Sequence, residues 1–240
     1  KYILNHAEVK FVFISGKDIF RKIEHIINEI PGLMGVYAVK ETEGTLSLQS
    51  FIELGRKQAA PELLQKAGSA VKTNDVATLI YTSGTTGHPK GVMLSHANLV
   101  SNFKSVSLIL GGMNVSRALS FLPLCHVYER MLNYMYQYLA VSVFYSENPD
   151  RLRDCLKEVK PDMFCAVPRV IEKTYATLLR TGKNLSGFRK PVFIWALKLG
   201  FKYEIETAQK PLNRLIFKIA DMLVYRKWRL AFGNKVRFIV

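Results

Sequence analysis

Residues 81–91 read Tyr-Thr-Ser-Gly-Thr-Thr-Gly-His-Pro-Lys-Gly, and their types suit them to hold an anion. Gly84, Gly87 and Gly91 lack a Cβ, so the backbone can take positive φ and turn successive N–H groups toward phosphate oxygens. Thr82, Ser83, Thr85 and Thr86 add hydroxyl donors, and Lys90 adds a mobile positive charge. The run is therefore a phosphate cradle by composition. It is neither the GxxxxGK[S/T] loop nor the GxGxxG dinucleotide fingerprint. A Gly/Ser/Thr cluster after a strand is also the makeup of an ordinary solvated turn. Glycines, hydroxyls and a lysine packed into so short a run favour the cradle.

A second candidate is the stretch Phe121-Leu122-Pro123-Leu124-Cys125-His126-Val127-Tyr128-Glu129-Arg130. His126 carries an imidazole that can exchange a proton near neutral pH, and it reads equally well as a core histidine at an apolar strand-to-helix junction. Tyr128 reads as pocket wall or core, and Glu129-Arg130 as a polar helix start. His88, inside the glycine loop, reads as a variable solvated position.

Both stretches need elements to hold them. Apolar runs of a few residues alternate with longer segments of helical period, which is the pattern of an α/β protein. Phe11–Ile14 predicts a strand, residues 17–29 a helix with Ile19, Phe20, Ile23, Ile26, Ile27 and Ile30 on one face, and Met34–Val39 the next strand. That β-α-β order places the two strands parallel. Short helices are expected over Phe51–Gln58 and from Pro61. Val76–Thr82 is a β-prone strand running straight into the glycine loop; Val92–Leu94 follows as a short strand, and Ser95 can cap a helix through Leu110. Further strands are expected at Leu119–Leu122, Val141–Tyr145, Met163–Val167 and Val236–Val240, with helices after Asn148, at Pro168, and over most of residues 188–230.

The uncharged run Met131–Ser146 falls short of the roughly 18–20 apolar residues of a spanning helix and contains Asn133 and Gln137, so a buried helix and a strand are expected there. Cys125, Cys155 and Cys165 form no CxxC pair, which argues against a zinc site or a disulfide framework and for a reducing, cytoplasmic setting. Composition is that of a packed globular chain: 240 residues, 49% hydrophobic and 22% charged. The charge is lopsided, with 34 Lys and Arg against 19 Asp and Glu, a net +15 that suits phosphate ligands, nucleic acid or an anionic membrane. Residues 183–240 hold 13 of the cations and three of the acids. There Leu212, Leu215, Ile216, Ile219, Met222 and Leu223 share a helical face ringed by Lys210, Arg214, Lys218, Arg226, Lys227 and Arg229. Such a face can pack on the core or lie peripherally on an anionic membrane. No RNA-recognition, KH or zinc-finger pattern is present, so nucleic acid is not an expected partner.

The run at 81–91 resembles the phosphate-binding signature of the adenylate-forming ligases, which include acyl-CoA synthetases, luciferases and the adenylation domains of peptide synthetases. Val92-Met93-Leu94-Ser95-His96-x-Asn98 continues the pattern. Residues 121–130 are similar to the acyl-pocket segment of long-chain fatty acyl-CoA synthetases, Ala166-Val167-Pro168-Arg169-Val170-x-Glu172-Lys173 looks like another of their segments, and Phe193–Val240 resembles the region ahead of their Gly-Gly-Ala-Pro stretch. Ala140 departs from the pattern, where Gly is expected.

The resemblance implies an α/β fold of mostly parallel sheets flanked by helices, with residues 1–240 forming part of the N-terminal AMP-binding domain. An N-terminal portion, the rest of the large domain and a small C-terminal domain would lie outside the chain, leaving this piece inactive alone. It implies ATP, Mg²⁺ and coenzyme A as cofactors and a fatty acid as substrate. Thr82, Ser83, Gly84, Thr85, Thr86, Gly87 and Lys90 would hold the ATP phosphates, with Thr85 toward Mg²⁺. Lys90 and His126 would serve catalysis, and His126 and Tyr128 would line the acyl pocket. A medium-chain or bubblegum-type synthetase and a non-catalytic nucleotide- or membrane-binding module stand as the alternatives.

Overall fold

Phe11–Ile14 (β1) and Gly35–Ala38 (β2) lie side by side and parallel in the computed structural model, in register from Phe11 opposite Gly35 to Ile14 opposite Ala38. The structure describes residues 1–83, 87–110, 112, 114–146, 151–204 and 210–240. These fall into two compact units, residues 1–100 and 101–240.

In the first unit a short helix, Tyr2–His6 (α1), precedes β1, and Lys17–Ile23 (α2) joins β1 to β2. The helix expected over 17–29 is α-helical only to Ile23; Glu24–Glu29 tightens to a 3₁₀ helix, a run in which β-branched Ile26 and Ile27 crowd the turn. Ile14, Phe20, Val36 and Ala38 form the core against this segment. Leu46–Ser47 (β3) adds a third parallel strand beside β2, and Leu48–Lys57 (α3) and Pro61–Ala70 (α4) follow. Proline opens α4 as expected.

Val76–Thr82 (β4) then pairs antiparallel with Lys90–Ser95 (β5), making a two-stranded hairpin apart from the parallel sheet. The second strand begins two residues earlier than its apolar run suggests, because Lys90 and Gly91 are drawn into the ladder opposite Thr82 and Tyr81. Ser95 caps the next helix, His96–Leu110 (α5), reciprocally: Asn98 N–H donates to Ser95 Oγ at 3.2 Å and Ser95 N–H donates to Asn98 Oδ1 at 3.0 Å.

The second unit is built on a parallel sheet of Arg117–Ser120 (β6), Ser142–Tyr145 (β7), Met163–Phe164 (β8) and Phe238–Ile239 (β9), in the order β7-β6-β8-β9. β6 lies two residues before its expected place, since Phe121 and Leu122 run into Pro123, which has no N–H to give a ladder. Val127–Tyr138 (α6) links β6 to β7, and Leu152–Val159 (α7) links β7 to β8. The uncharged run is thus a helix and a strand, with Met131, Leu132, Met135 and Tyr136 buried. The cap expected at Asn148 lies outside the described residues. Alternation along the strands sends Ala118 and Met163 into one core with α6, and Leu119 and Phe164 into another with Leu156 of α7.

Helices Pro168–Lys183 (α8) and Arg189–Phe201 (α9) follow, then Pro211–Ala220 (α10), a π turn at Asp221–Tyr225 and a last turn of helix at Arg226–Ala231. The apolar face of residues 212–223 is left largely exposed. Ala220 and Val224 pack on Phe193 and Ala196, while Leu212, Leu215, Ile219, Met222 and Leu223 stay exposed. Among the described residues no helix is long and apolar enough to cross a membrane.

Ala140, just past α6, holds φ +54° in the left-handed region, where its Cβ crowds the backbone. Ala140→Gly is expected to stabilise the fold by about 0.5–1 kcal/mol, relief of strain outweighing the added freedom of the unfolded chain. Urea denaturation midpoints check this, and a lower midpoint for the variant would contradict it.

Candidate functional site

At the open end of the β4–β5 hairpin, Thr82 and Lys90 stand directly opposite each other. Opposed residues of an antiparallel pair project to the same face, so the hydroxyl and the ammonium share one side of the loop mouth. Thr82, Ser83, Gly87 and Lys90 are all exposed. Lys90 has no acidic partner among the described residues, which leaves its charge available to an anion. Gly87 takes φ +88°, with open space where a Cβ would stand, as a backbone turned toward a ligand requires. Gly91 serves a different end: a Cβ there would meet the Tyr81 ring at 3.2 Å, so this glycine seats an aromatic side chain. Gly84, Thr85 and Thr86, including the candidate magnesium ligand Thr85, lie outside the described residues.

Aromatic rings border the same loop. His6 Nδ1 and the Tyr81 hydroxyl are 2.6 Å apart, and Tyr2 stacks on His6 with ring centroids 5.3 Å apart and tilts against His88 at 5.6 Å. His88 is therefore part of a ring cluster and not only a solvated loop position. Nothing in the types of Tyr2 or His6 announced this, because the contacts join distant parts of the chain.

The second unit places its candidates by topology. The chain leaves β6, runs to β7 on one side and returns to β8 on the other, so the sheet reverses its winding between β6 and β8. In an open parallel sheet the crevice outside the carboxyl ends of such a strand pair is where ligands bind. His126, Tyr128 and Glu129 follow β6, and Cys165 follows β8. His126 is the residue before the first turn of α6, its backbone extended at φ −82° and ψ 129°, and its side chain is exposed. It is not the core histidine that its apolar surroundings in sequence allowed. Tyr128 is partly exposed and stands near the Cys165 sulfur. Burial, with the Cys165 sulfur beside it, holds Tyr128 above its ordinary value.

Glu129 is the residue that sequence reasoning missed. It looked like a polar helix start and is only 1% exposed. Asn133 Nδ2 donates to the Glu129 carbonyl at 2.9 Å, to Ser120 Oγ at 3.2 Å and to Glu129 Oε1 at 3.4 Å. The Tyr145 hydroxyl, from the end of β7, donates to Asn133 Oδ1 at 2.9 Å. Glu129 Oε2 and the Tyr136 hydroxyl are buried without a hydrogen-bond partner among the described residues. Burial pushes the Glu129 carboxyl up, opposed by hydrogen bonds with Ser120 and Asn133. The same burial, with Glu129 nearby, pushes Cys165 up to about 11 and raises Tyr136. The cluster accordingly favours neutral forms throughout. A signal did exist: Glu129, Leu132, Asn133 and Tyr136 fall on one stripe at helical spacing, together with the apolar core positions of α6.

Among the described residues no cluster of three or more His, Cys, Asp or Glu is placed to hold a metal ion. The donor set at the hairpin mouth suits phosphate oxygens, with hydroxyls, a turned backbone and one cation. A divalent ion there would rest mainly on the phosphates themselves.

Residues 1–211 match the family described as AMP-binding enzyme. The chain is 32% identical to long chain acyl-CoA synthetase 6, peroxisomal, of Arabidopsis thaliana, over all of this chain and 34% of that protein. It is 30% identical to the long-chain-fatty-acid–CoA ligase ACSBG2 of Homo sapiens, over 97% of this chain and 36% of that protein. It thus spans about a third of the length of these relatives. Among solved structures, a long-chain-fatty-acid-CoA ligase from Archaeoglobus fulgidus shares the fold with a TM-score of 0.56 at 24% identity, covering 75% of this chain and 34% of that one.

The raised Glu129 carboxyl carries a consequence for stability. Its ordinary value is 4.5, so above that pH the unfolded chain gives up a proton that the folded chain keeps. The contribution of the neutral acid is fully present below pH 4.5 and is lost as pH rises through its raised folded value. Glu129→Gln keeps the shape without the charge and is expected to flatten that fall. Urea midpoints across a pH series check it; profiles that superimpose on the parent's would contradict it.

Proposed function

The chain belongs to the AMP-binding enzyme family, and from that premise we propose that the protein containing it is an ATP-dependent acid–thiol ligase acting on long-chain fatty acids. The carrying observation is the hairpin mouth, where Thr82 faces Lys90 beside a glycine- and hydroxyl-rich loop, with no acidic partner for the lysine among the described residues. In the first step a carboxylate oxygen attacks the α-phosphorus of ATP, the bond to the bridging oxygen breaks, and pyrophosphate leaves. In the second the coenzyme A thiolate attacks the acyl carbonyl carbon, and AMP leaves as the C–O bond breaks.

The first step builds negative charge on the departing pyrophosphate, and preorganised donors lower its barrier. Thr82, Ser83, Gly84, Thr85, Thr86, Gly87 and Lys90 would hold that charge, with the Thr85 hydroxyl toward a phosphate-bound Mg²⁺. His126, exposed at the switch point of the parallel sheet, would orient the fatty acid carboxylate, and Tyr128 beside it would line the acyl pocket. The long-chain preference rests on likeness to the two relatives named above, and a medium-chain substrate is the alternative. The site of action would be cytoplasmic.

A second reading concerns the basic C-terminal helices. Leu212 and Met222 are 70% and 63% exposed, and Lys210, Arg214, Lys218 and Arg226 lie close to them in sequence. An apolar stripe edged with cations suits peripheral binding to an anionic membrane, where fatty acids partition. Cosedimentation of the full-length protein with vesicles is expected to rise with phosphatidylserine content and to fall in salt; binding indifferent to both would remove this reading.

Lys90→Ala in the full-length protein is expected to lower fatty-acid-dependent ATP–pyrophosphate exchange by roughly 10²-fold or more, the scale of losing one preorganised charge-stabilising donor. An unchanged exchange rate would take Lys90 out of the mechanism.

A further inference from the structure

The segment that delivers His126 is a bridge between two anchored ends. It leaves β6 after Ser120, which is 2% exposed, and enters α6 at Val127. The His126 N–H donates to the Pro123 carbonyl at 3.0 Å, and Arg130 Nε donates to the Leu124 carbonyl at 3.0 Å, so the bridge is folded on itself from both sides. One side chain ties its two anchors together. Asn133, 5% exposed, gives its amide N–H groups to Ser120 Oγ at the end of β6 and to the Glu129 carbonyl in the first turn of α6, and takes the Tyr145 hydroxyl from the end of β7 on its carbonyl oxygen.

We propose that Asn133 is a positioning residue for His126: it fixes the first turn of α6 against the carboxyl ends of β6 and β7 and thereby sets where the imidazole meets the substrate carboxylate. The inference rests on the role given to His126 above. A core filler would need no such pattern. An amide buried for packing alone is better replaced by Leu, whereas here both ends of the amide are used and its partners belong to α6 and to the two strands that α6 joins. The lever is short, since Asn133 bonds the carbonyl of Glu129, three residues after His126. A displacement of about 1 Å at a group that orients a reacting atom can cost on the order of 10²-fold in rate. Asn133 itself touches no substrate.

The test is a double-mutant cycle in the full-length protein, using Asn133→Leu and His126→Ala with fatty-acid-dependent ATP–pyrophosphate exchange as the readout. Asn133→Leu is expected to lower kcat by at least about 10-fold with the KM for ATP unchanged, and to add nothing in the His126→Ala background. An equal loss in both backgrounds, or no loss with His126 present, would overturn the proposal. His126→Ala alone reports on the underlying role: if it leaves kcat intact, the reading of His126 fails, and the positioning claim falls with it. Should Asn133→Leu not fold, Tyr145→Phe removes one hydroxyl from a side chain that is 58% exposed. It is expected to lower kcat by about 2–5-fold only while His126 is present, from loss of a single hydrogen bond. A loss independent of His126, or none, would count against the proposal in the same way.

Discussion

A parallel strand in the middle of a sheet has to be covered on both faces and can reach its neighbour only by a crossover. β6 meets this constraint through Ala118, which turns to the side of α6, and Leu119, which turns to the side of α7. Because the crossover from β6 runs to β7 on one side and the crossover from β7 passes back to β8 on the other, the sheet opens a crevice at the carboxyl ends of β6 and β8. His126, Tyr128, Glu129 and Cys165 stand there as a consequence of strand order. The hairpin of the first unit obeys a different rule, in which direct opposition in an antiparallel ladder gives Thr82 and Lys90 a common face.

The two candidate regions also differ in electrostatics. At the hairpin mouth, exposed hydroxyls and a lysine with no acidic partner among the described residues suit a ligand that brings its own negative charge. At the crevice, burial shifts Glu129, Cys165 and Tyr136 toward their neutral forms.

Much of this was legible in the sequence where a local rule decides the outcome. The β-prone runs at Phe11–Ile14 and Val76–Thr82, the serine cap before α5, and proline at the start of α4 and α8 all act within a few residues. The candidate phosphate loop could be proposed from sequence because its residues are contiguous. What escaped depends on distant partners. Glu129 is buried because Ser120 and Asn133 close over it, and Gly91 is glycine because the Tyr81 ring lies across the ladder. Which residues of this region would pack was left open for a similar reason: small Ala220 of α10 and Val224 of the π turn allow close approach to α9, while larger residues remain outside.

The central claim is that the fatty acid carboxylate attacks the α-phosphorus of ATP. Its most direct measurement is oxygen transfer: the full-length protein is given a fatty acid labelled with ¹⁸O in both carboxyl oxygens, together with ATP, Mg²⁺ and coenzyme A, and the products are read by mass spectrometry. One ¹⁸O in the phosphate of AMP, with the other retained in the acyl-CoA carbonyl, is the expected result. Label in orthophosphate alongside ADP, or AMP without label, would contradict it.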